Sequence, residues 1–453
     1  MHDVPFSVTL LFAALLVAMI LCLALEEKIH AKKSVIAGVF AALTLFLAVA
    51  LGLVHPETVE LLGLPIELPL YIPGVDWEVI AIILGSSIFV DVTSKSGLFT
   101  WIAIRLTKAS RGDPLTLLCS YGVMTVVFSA VLNNVTAMII VGTLSGVSLA
   151  RLGQSQKLLG FLVVEGLLTN VGGLLTLVSS VPNIIVGNAA GISFLDFFLA
   201  ASPYVVVATA VTLWLGARLF GIERLRTAEQ KAEAEKLVAG FDENDGIESC
   251  GFFWFGAVMT LLFIATIASA SVLPVIEELG LGYVALAFAV IALLRYKATA
   301  DRFYEGIDWD LLGFFGCLFI IINMMEHALV LDLIGEGLVP ILQLGELAGP
   351  GVLLVAASVA SSVTDNIPLA AMLAKILGGM NLPADSPFWW SVVFGANLGG
   401  NLTPIGSAST LVAVTIIHKN KLALSFAGFV KLAIPFALCQ LALAVAYVLL
   451  VLG

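Results

Sequence analysis

One pattern of polar residues occurs twice in this chain, and the second copy lies 232 positions after the first. The residues repeated at this offset are Trp77 with Trp309, Asn134 with Asn366, and Ser193-Phe194 with Ser425-Phe426. A further match, Asn170-Val171-Gly172-Gly173 with Asn397-Leu398-Gly399-Gly400, lies at an offset of 227. These matches indicate two halves of one design, so the fold has to be built from two copies of one unit.

The repeated residues interrupt long apolar runs, in a chain that is 60% hydrophobic and only 12% charged. A soluble domain carries about 25% charged residues, whereas about 20 consecutive apolar residues span a bilayer. The runs that we expect in a membrane are 6–25, 34–54, 78–104, 114–150, 158–190, 203–220, 251–273, 279–294, 311–334, 350–378, 387–416 and 425–452. The first run has no basic leader and no small-residue cleavage site, so we interpret it as a retained span.

The fold class predicted from these runs is an all-α polytopic membrane protein with two inverted-topology repeats. We expect about ten spanning helices and two re-entrant hairpins, with helices broken near mid-membrane. The first repeat covers 1–220, a cytoplasmic linker covers 221–250, and the second repeat covers 251–453. Within the linker, charges of both signs at helical spacing predict a short solvated helix.

The distribution of basic residues predicts the orientation of the chain in the membrane. With the N-terminus outside, 18 of the 21 Lys and Arg residues lie on the cytoplasmic side, which is the bias that the positive-inside rule describes. Both termini are then outside, and the second half enters from the opposite side to the first. In a bacterium we expect the protein in the inner membrane. The net charge of −11 argues against a nucleic-acid partner.

Four interruptions of the apolar runs carry the candidate binding residues. Backbone that leaves the helix inside a membrane survives where it lines a cavity, and paired breaks in two repeats mark a transporter's binding site. The candidate substrate- and ion-binding residues are Asn133, Asn134, Thr136, Asn170, Gly172, Gly173, Thr176, Ser179, Ser180, Asn183, Asp365, Asn366, Asn397, Gly399, Gly400, Asn401, Thr403, Ser407, Ser409 and Thr410. Half-helix ends there present free N–H and C=O groups to a small anion, a neutral oxo-species or a hard cation.

Asp365 is the acidic residue of a hairpin tip, and its counterpart in the first repeat is the neutral Asn133. An acidic side chain at the bilayer centre costs roughly 2.5–3.5 kcal/mol on insertion scales, so it marks a functional site. We expect Asp365 to bind the proton or sodium ion that drives transport. A sodium site at Asn134, Asp365 and Asn366 is a candidate, and no other cofactor is expected.

Further charged residues lie in the apolar runs. Asp91 and Lys95 are four residues apart, which allows an ion pair, and Asn323 and His327 occupy the equivalent positions of the second half. Asp91, Lys95 and His327 could support the hairpins or relay protons. Glu165 and Glu326 could line a cavity or serve packing.

At these residues the chain resembles the ion transporter superfamily, in the branch with arsenite/antimonite efflux permeases, NhaD-type sodium/proton antiporters and the melanosomal P protein. The similar stretches are Leu132 to Thr136, Thr169 to Gly173, Val181 to Ile184, Ser361 to Pro368 and Gly395 to Ser407. The resemblance spans about residues 75 to 445. It implies opposed hairpins, separate scaffold and transport domains, a homodimer and alternating access.

Two departures from the family patterns bear on the substrate. The P-protein-like pattern has an aspartate where this chain has Ser179-Ser180, and the Ser-Asn-Thr tips of dicarboxylate carriers are absent. These departures disfavour dicarboxylate uptake, whereas the stretch Leu402 to Ser407 is similar to arsenite permeases. We therefore expect a proton- or sodium-coupled secondary transporter for arsenite or antimonite efflux, in contact with the lipid bilayer and a small inorganic solute or ion.

Other functions remain open from the sequence. A sodium/proton antiporter is the first alternative, and a small-anion or dicarboxylate permease and an ion channel are further ones. We expect no enzyme, because no Ser-His or Cys-His pairing, metal-ligand cluster or nucleotide fingerprint lies near the tips.

Overall fold

The computed structural model describes residues 4–61, 64–132, 134–270, 273–298, 300–305, 307–345, 348–363, 366–380, 382–404 and 406–453. Apolar helices form nearly all of this part, as an all-α polytopic membrane protein requires. A pair of antiparallel strands, β1 (Glu57–Leu61) and β2 (Leu64–Leu68), is the addition to the predicted fold class. It lies in the loop between the second and third apolar runs.

The helices of the first half and the linker share the order of the predicted runs. They are α1 (Phe6–Ala24), α2 (Glu26–Ile29), α3 (Lys33–Ala50), α4 (Trp77–Ser94), α5 (Leu98–Ala109), α6 (Pro114–Val131), α7 (Asn134–Arg151), α8 (Leu158–Gly172), α9 (Val181–Ala190), α10 (Phe194–Leu219) and α11 (Ala228–Ala239). Short 3-10 turns at Ser155–Lys157 and Leu177–Ser179 precede α8 and α9.

The second half repeats the same series of elements. Its helices are α12 (Cys250–Ala268), α13 (Pro274–Leu293), α14 (Asp301–Glu305), α15 (Trp309–His327), α16 (Val330–Leu342), α17 (Gly349–Val363), α18 (Asn366–Gly379), α19 (Pro387–Gly399), α20 (Ala408–Lys419) and α21 (Phe426–Tyr447). A 3-10 turn follows α13 at Leu294–Tyr296, and a π-helical turn follows α21 at Val448–Leu452.

Two runs that the sequence predicts as single segments are each divided into two helices. The run 78–104 becomes α4 and α5 around Gly97, which has a left-handed backbone (φ 82°). The run 311–334 becomes α15 and α16 around Leu329, which is also left-handed (φ 58°). Gly97 and Leu329 are 232 positions apart, so both halves turn at the same place. The left-handed conformation is costly for leucine, and the surrounding packing has to stabilise it.

The last helix of each half begins earlier than hydropathy alone suggests. We predicted a run at 203–220, but α10 begins at Phe194, because the Ser193 side chain accepts a hydrogen bond from the Asp196 N–H and caps the helix. Pro203 lies inside the helix. The equivalent α21 is capped by Ser425 and contains Pro435.

Each half packs its helices on the other half. One group of helices, called the outer group here, contains α3, α4, α13 and α15. In it α3 packs on α15 and α13 packs on α4. The contact of α4 with α13 is close, because a Cβ on Gly85 would lie 2.4 Å from the Ala285 carbonyl carbon. A second group, called the inner group here, contains the hairpin helices α7 and α18 together with α9 and α20. In it α7 packs on α20 and α18 packs on α9. These paired contacts follow the two-fold relation that the repeats predict.

Within the described residues, ten helices are long and apolar enough to cross a membrane. They include α6 and α7 of the first hairpin, each with 18 residues. The corresponding helices of the second hairpin, α17 and α18, have 15 and 14 residues. The two hairpins therefore differ in reach although they occupy equivalent places.

The linker is held on the first half. Its helix α11 begins with a capping box, formed by Thr227 and Gln230. After this helix, Glu243 makes ion pairs with Arg105 (3.0 Å) and Lys108 (3.1 Å) of α5.

The linker also meets the start of α6. The Asp113 side chain caps this helix and accepts a hydrogen bond of 2.8 Å from the Leu225 N–H. Burial alone would raise the pKa of Asp113, but hydrogen bonds from Thr116 and Leu225 hold it below its ordinary value. The ionised form is thus favoured where the linker begins.

Candidate functional site

The inner group also contains two broken helices, α8 with α9 and α19 with α20, which pack on each other so that their breaks meet. In the first repeat α8 ends at Gly172 and α9 begins at Val181. In the second repeat α19 ends at Gly399 and α20 begins at Ala408. Glycine pairs end the first helix of each pair, and a serine precedes the second helix of each pair. Neither break contains Lys, Arg, Asp or Glu.

Side chains at the breaks bond reciprocally across the two halves. The Asn170 amide donates to Ser407 Oγ (2.9 Å), and the equivalent Asn397 accepts from Ser180 Oγ (2.7 Å). Asn170 also donates to Asn401 Oδ1 at 2.8 Å. These residues come from opposite halves, so the two breaks form one hydrogen-bonded unit.

A second set of bonds holds each break in shape from within its own half. Asn183 donates to the carbonyls of Gly173 (2.7 Å) and Thr176 (2.9 Å). The hydroxyl of Thr410, which is 227 positions later, donates to the Ser407 carbonyl (2.8 Å) and also lies 3.2 and 3.4 Å from the carbonyl oxygens of Pro404 and Gly400. Each break thus has a polar side chain among the carbonyls that the broken helix releases, as a membrane interior demands.

The hairpins are attached to the breaks by the same bonds in both halves. Thr176 donates to the Ala130 carbonyl (2.7 Å), and Thr403 donates to the Ser362 carbonyl (2.6 Å). Ser129 donates to the Thr169 carbonyl, and Ser361 to that of Ala396, each at 2.6 Å. Each donor is 227 or 232 positions from its counterpart. Sequence analysis missed Ser129 and Ser361, although they match at the main offset.

The glycines at the ends of α8 and α19 allow these contacts. A Cβ on Gly172 would lie 2.7 Å from the Val126 carbonyl oxygen, and a Cβ on Gly399 would lie 2.4 Å from the Ser358 oxygen. Gly173 faces the Asn134 side chain at a similar distance. Larger residues would separate the hairpins from the breaks.

Burial separates the predicted site residues into two sets. Asn170, Ser179, Ser180, Asn183, Asn397, Asn401, Ser409 and Thr410 are almost fully buried. Asn134, Thr136, Asn366, Thr403 and Ser407 are only partly buried. The buried set bonds mainly to other protein groups and braces the breaks. The partly buried set offers amides and hydroxyls to a solute.

The tip residues Asn133 and Asp365 lie outside the described residues. The side-chain oxygen of Asn134 lies 2.6 Å from Ser129 Oγ, and Asn366 is the first residue of α18. The roles of Asp365 in coupling and of Asn134, Asp365 and Asn366 in sodium binding stay predictions.

The charged pairs lie at the ends of the outer helices. Asp91 and Lys95 form an ion pair of 3.2 Å, and Lys95 also lies 4.0 Å from the ring centroid of Phe303. Both side chains are more than one third exposed. Such a pair supports the end of α4 and is not enclosed in the membrane core.

The second half has a different arrangement at the equivalent place. Glu326 of α15 makes an ion pair of 3.0 Å with Lys375 of α18, joining the outer group to the inner group. His327 is exposed, and its Nδ1 lies 2.9 Å from the Asn323 carbonyl oxygen. Among the described residues, neither Glu326 nor His327 makes a hydrogen bond to the breaks.

A cavity of about 260 Å³ lies between the outer and inner groups, near the start of α4. Its polar lining comes from Asp76, Asn188, Asn323 and Lys375. The Asn188 amide donates to Asp76 at 3.0 Å. The charge distribution predicts that this end of the molecule faces the outside, and the cavity would then have the position of an external entrance.

Gln440 of α21 also belongs to the buried network, and sequence analysis missed it. Its side chain accepts from Asn401 (2.8 Å) and donates to Thr212 of α10 (2.9 Å). The equivalent position of the first half is Ala208, so the repeat gave no signal for it. A single polar residue in an apolar run was the available hint.

Comparison with known proteins gives relatives of the whole chain. A family profile described as "Citrate transporter" matches residues 15–395. An uncharacterized transporter of Mycobacterium tuberculosis is 30% identical over 384 residues, covering 83% of this chain and 86% of that protein. The P protein of Homo sapiens is 23% identical over 511 residues, covering 94% of this chain and 60% of that protein.

Two solved structures share the fold at low sequence identity. The Alcanivorax borkumensis YdaH transporter, described as having an unusual topology, has a TM-score of 0.60 at 12% identity, covering 92% of this chain and 98% of that one. Neisseria gonorrhoeae MtrF, from a class of antimetabolite efflux pumps, has a TM-score of 0.55 at 12% identity, covering 93% and 95%. These similarities concern the fold alone.

Proposed function

Because this chain belongs to the citrate transporter family and is a membrane transporter, we propose that it works as a secondary active transporter by alternating access. We further propose that protons or sodium ions drive it. The resemblance in the sequence also favours a homodimer as the working unit.

The observation that carries this proposal is the reciprocal bonding of the two breaks. Asn170 with Ser407 and Asn397 with Ser180 form equivalent contacts from opposite halves. Two inverted copies of one contact give a site that both sides of the membrane can reach by equivalent motions. A permanently open pore needs no such internal symmetry, which favours a transporter over an ion channel.

The division into two groups of helices supplies the moving parts. The inner group is braced by buried hydrogen bonds, so it can move as a unit. It meets the outer group at the cavity and at the Glu326–Lys375 ion pair. Motion of one group past the other would close this external entrance and open the equivalent place at the opposite end.

The substrate that fits the breaks best is a small solute of low charge. The partly buried groups are amides and hydroxyls, and Lys375 at the entrance is already paired with Glu326. A multiply charged anion would lack fixed cations at the breaks, whereas neutral arsenous acid can use these hydrogen-bonding groups. We therefore propose arsenite or antimonite efflux as the activity.

Two other substrates have specific support. The matching profile is described as "Citrate transporter", which favours citrate although the Ser-Asn-Thr tips of dicarboxylate carriers are missing. Sodium/proton antiport is favoured by the resemblance to NhaD-type antiporters. These candidates require different responses to added solutes, so one assay separates them.

The test uses the purified full-length protein in proteoliposomes with an imposed proton gradient and a pH indicator inside. We expect arsenite or antimonite to collapse the gradient, and Asp365→Asn to lose this response because the variant lacks the tip carboxylate that we expect to bind the coupling ion. Collapse by sodium or lithium alone would replace metalloid efflux by antiport, and a response to citrate alone would replace it by citrate transport.

Two controls show whether Asp365→Asn has lost the coupling of transport to the proton gradient or has lost its fold. Exchange of labelled arsenite without a gradient should persist in Asp365→Asn if the protein is folded and binds its solute. A wild-type response in this variant would remove Asp365 from the mechanism. Steady ion conductance in planar bilayers would contradict alternating access.

A further inference from the structure

A carboxyl group outside the two breaks lies in the core of the inner group. Glu165 is in the middle of α8, and its relative exposure is 0%. Ser145 of α7 donates a hydrogen bond to its Oε1. Its Oε2 is buried and has no hydrogen-bond partner among the residues that the structure describes. An ionised carboxylate with a single donor is strongly disfavoured in such a place, so the group is held in its neutral, protonated form.

Hydroxyl groups lead from this carboxyl toward one end of the molecule. Ser145 and Ser148 are three residues apart on α7 and lie on one face of the helix. The Ser148 hydroxyl is 2.7 Å from Tyr121 Oη, which is 2.5 Å from Thr107 Oγ1. All four side chains are fully buried. Hydroxyls both donate and accept hydrogen bonds, so this series can pass a proton.

The series ends where basic residues are concentrated. Ser110 Oγ donates to the Thr107 carbonyl at 2.6 Å, and it accepts from the Gly112 N–H at 3.2 Å. Arg111 lies between them in sequence, and its side chain is 77% exposed. The charge distribution assigns this end to the cytoplasmic side. Buried hydroxyl groups therefore occupy the space between Glu165 and one side of the membrane, with one helical turn of α7 between Ser145 and Ser148.

The second half lacks every member of this series. The equivalents at the repeat offsets are Val392 for Glu165, Leu377 for Ser145, Met380 for Ser148, Leu353 for Tyr121 and Val339 for Thr107. Val392, Leu377 and Leu353 are buried. Helix packing at these positions therefore works with apolar side chains. The polar series of the first half needs another reason than packing.

Other titratable groups on the elements packed around α8 are poor candidates for binding or passing a proton near Glu165. These elements are α6, α7, α10, α19, α20, α21 and the turn before α8, all within the described residues. Their remaining ionisable side chains are Cys119, Arg151, Lys157, Asp196, Tyr204, Arg218, His418, Lys419, Lys431, Cys439 and Tyr447. Tyr204, Tyr447 and Lys157 bond to Gln440, Ala200 and Gln154, and the others are exposed on the outer surface. Among the described residues of these elements, Tyr121 bonds to Ser148, one helical turn from the Ser145 that donates to Glu165.

We propose that Glu165 is a proton-binding site of the transporter, loaded from the Arg111 end through Thr107, Tyr121, Ser148 and Ser145. In loading, the Ser145 hydroxyl gives its proton to Glu165 Oε1 and receives one from Ser148 across one helical turn. Ser148 receives a proton from Tyr121 and Tyr121 from Thr107, and water at the Arg111 end returns a proton to Thr107. The carboxylate is thereby neutralised and each hydroxyl is restored. This deepens the proposed function, on which its link to transport rests. The site itself can be measured without any transported solute.

The first test is infrared difference spectroscopy of the protein in liposomes during a pH titration. We expect a C=O stretch of a protonated carboxylic acid that shifts in D₂O, is lost on raising the pH and is missing from Glu165→Gln. The matched control is Glu326→Gln, which should keep the band because Glu326 is a paired, half-exposed group. The same band in Glu165→Gln would overturn the proposal.

The second test examines whether protons reach Glu165 through the hydroxyl groups of the series. Tyr121→Phe should slow the hydrogen–deuterium exchange of the Glu165 band, whereas Tyr204→Phe removes an equally buried hydroxyl outside the series and should not. Equal exchange rates in both variants would contradict the path. If Glu165→Gln does not fold, Ser145→Ala serves instead, and an unchanged band position in that variant would count against the site.

Transport measurements separate this proposal from the proposed function. In the gradient assay Glu165→Gln should lose the dependence of solute flux on the pH difference while gradient-free solute exchange remains. Full retention of that dependence would overturn the coupling role of Glu165. A titrating band in a protein that moves none of the tested solutes would refute the proposed function and support the proton site.

Discussion

Replacing Asn397 by alanine should abolish transport and lower the melting temperature of the purified protein. Its amide donates to Asn183 (2.8 Å) and accepts from Ser180 (2.7 Å), and all three side chains are almost fully buried. Alanine removes the partner of Asn183 Oδ1 and of Ser180 Oγ, and each orphaned buried atom costs about 1–3 kcal/mol. This one substitution removes two hydrogen bonds between the halves, one at the nitrogen and one at the oxygen of the Asn397 amide. The measurements are solute flux in proteoliposomes and thermal unfolding in detergent.

A double variant tests the physical reason for this loss. In Asn397→Ala with Ser180→Ala, the Ser180 hydroxyl is no longer buried without a partner, so part of the lost stability should return. Asn420→Ala is the matched control, because Asn420 is exposed at the end of α20 and bonds only within its own helix. An unchanged melting temperature and flux in Asn397→Ala would show that the breaks do not depend on each other.

Gly399→Ala should prevent most of the protein from reaching its folded state. The added Cβ would lie 2.4 Å from the Ser358 carbonyl oxygen and 2.6 Å from Ser361 Cβ, distances at which the backbone has to move. Overpacking typically costs about 1–3 kcal/mol, and a backbone neighbour cannot yield by a rotamer change. The separation of α19 from α17 would also disturb the bond of 2.6 Å from Ser361 to the Ala396 carbonyl. The yield of monodisperse protein in size-exclusion chromatography measures the effect.

Gly378→Ala adds the same atom to a helix of the same half and is the matched control. No atom lies within 4 Å of its added Cβ, and alanine favours a helix over glycine by about 1 kcal/mol. We expect its yield to equal or exceed that of the wild type. The variant Gly172→Ala meets the Val126 backbone at 2.7 Å and should follow Gly399→Ala in direction. Equal yields for Gly399→Ala and Gly378→Ala would contradict the close approach.

Much of the architecture could be predicted, because a repeat and long apolar runs are direct sequence signals. The breaks at Gly172 and Gly399 follow from glycine pairs in an apolar background, and the helices end there. The turns at Gly97 and Leu329 were missed, because each lies within a run that hydropathy joins into one segment and a left-handed backbone residue has no hydropathy signal of its own. The early start of α10 was missed for a different reason: Pro203 suggests a helix start, but the Ser193 cap lies ten residues earlier.

The candidate site was predictable as a set of residues but not as a set of contacts. An offset identifies Asn170 and Asn397 as equivalent, yet equivalent residues do not bond to each other here. Each bonds to the serine at the other break. This exchange of partners depends on how the two broken helices pack on each other in three dimensions. Gln440 and the series from Glu165 to Thr107 have no polar counterpart in the other half, so repetition could not single them out.

The exchange of partners between the halves also bears on how the protein is made. When the first half has left the ribosome, α3, α4, α7 and α9 still lack the helices on which they pack, because α15, α13, α20 and α18 are synthesised later. At that stage the side chains of Asn170 and Ser180 lie in the membrane without their hydrogen-bond partners from the second half. Insertion of the first half and its final folding must therefore be separate events. A chain interrupted near residue 240 would yield a fragment that quality-control proteases can recognise by its open interior.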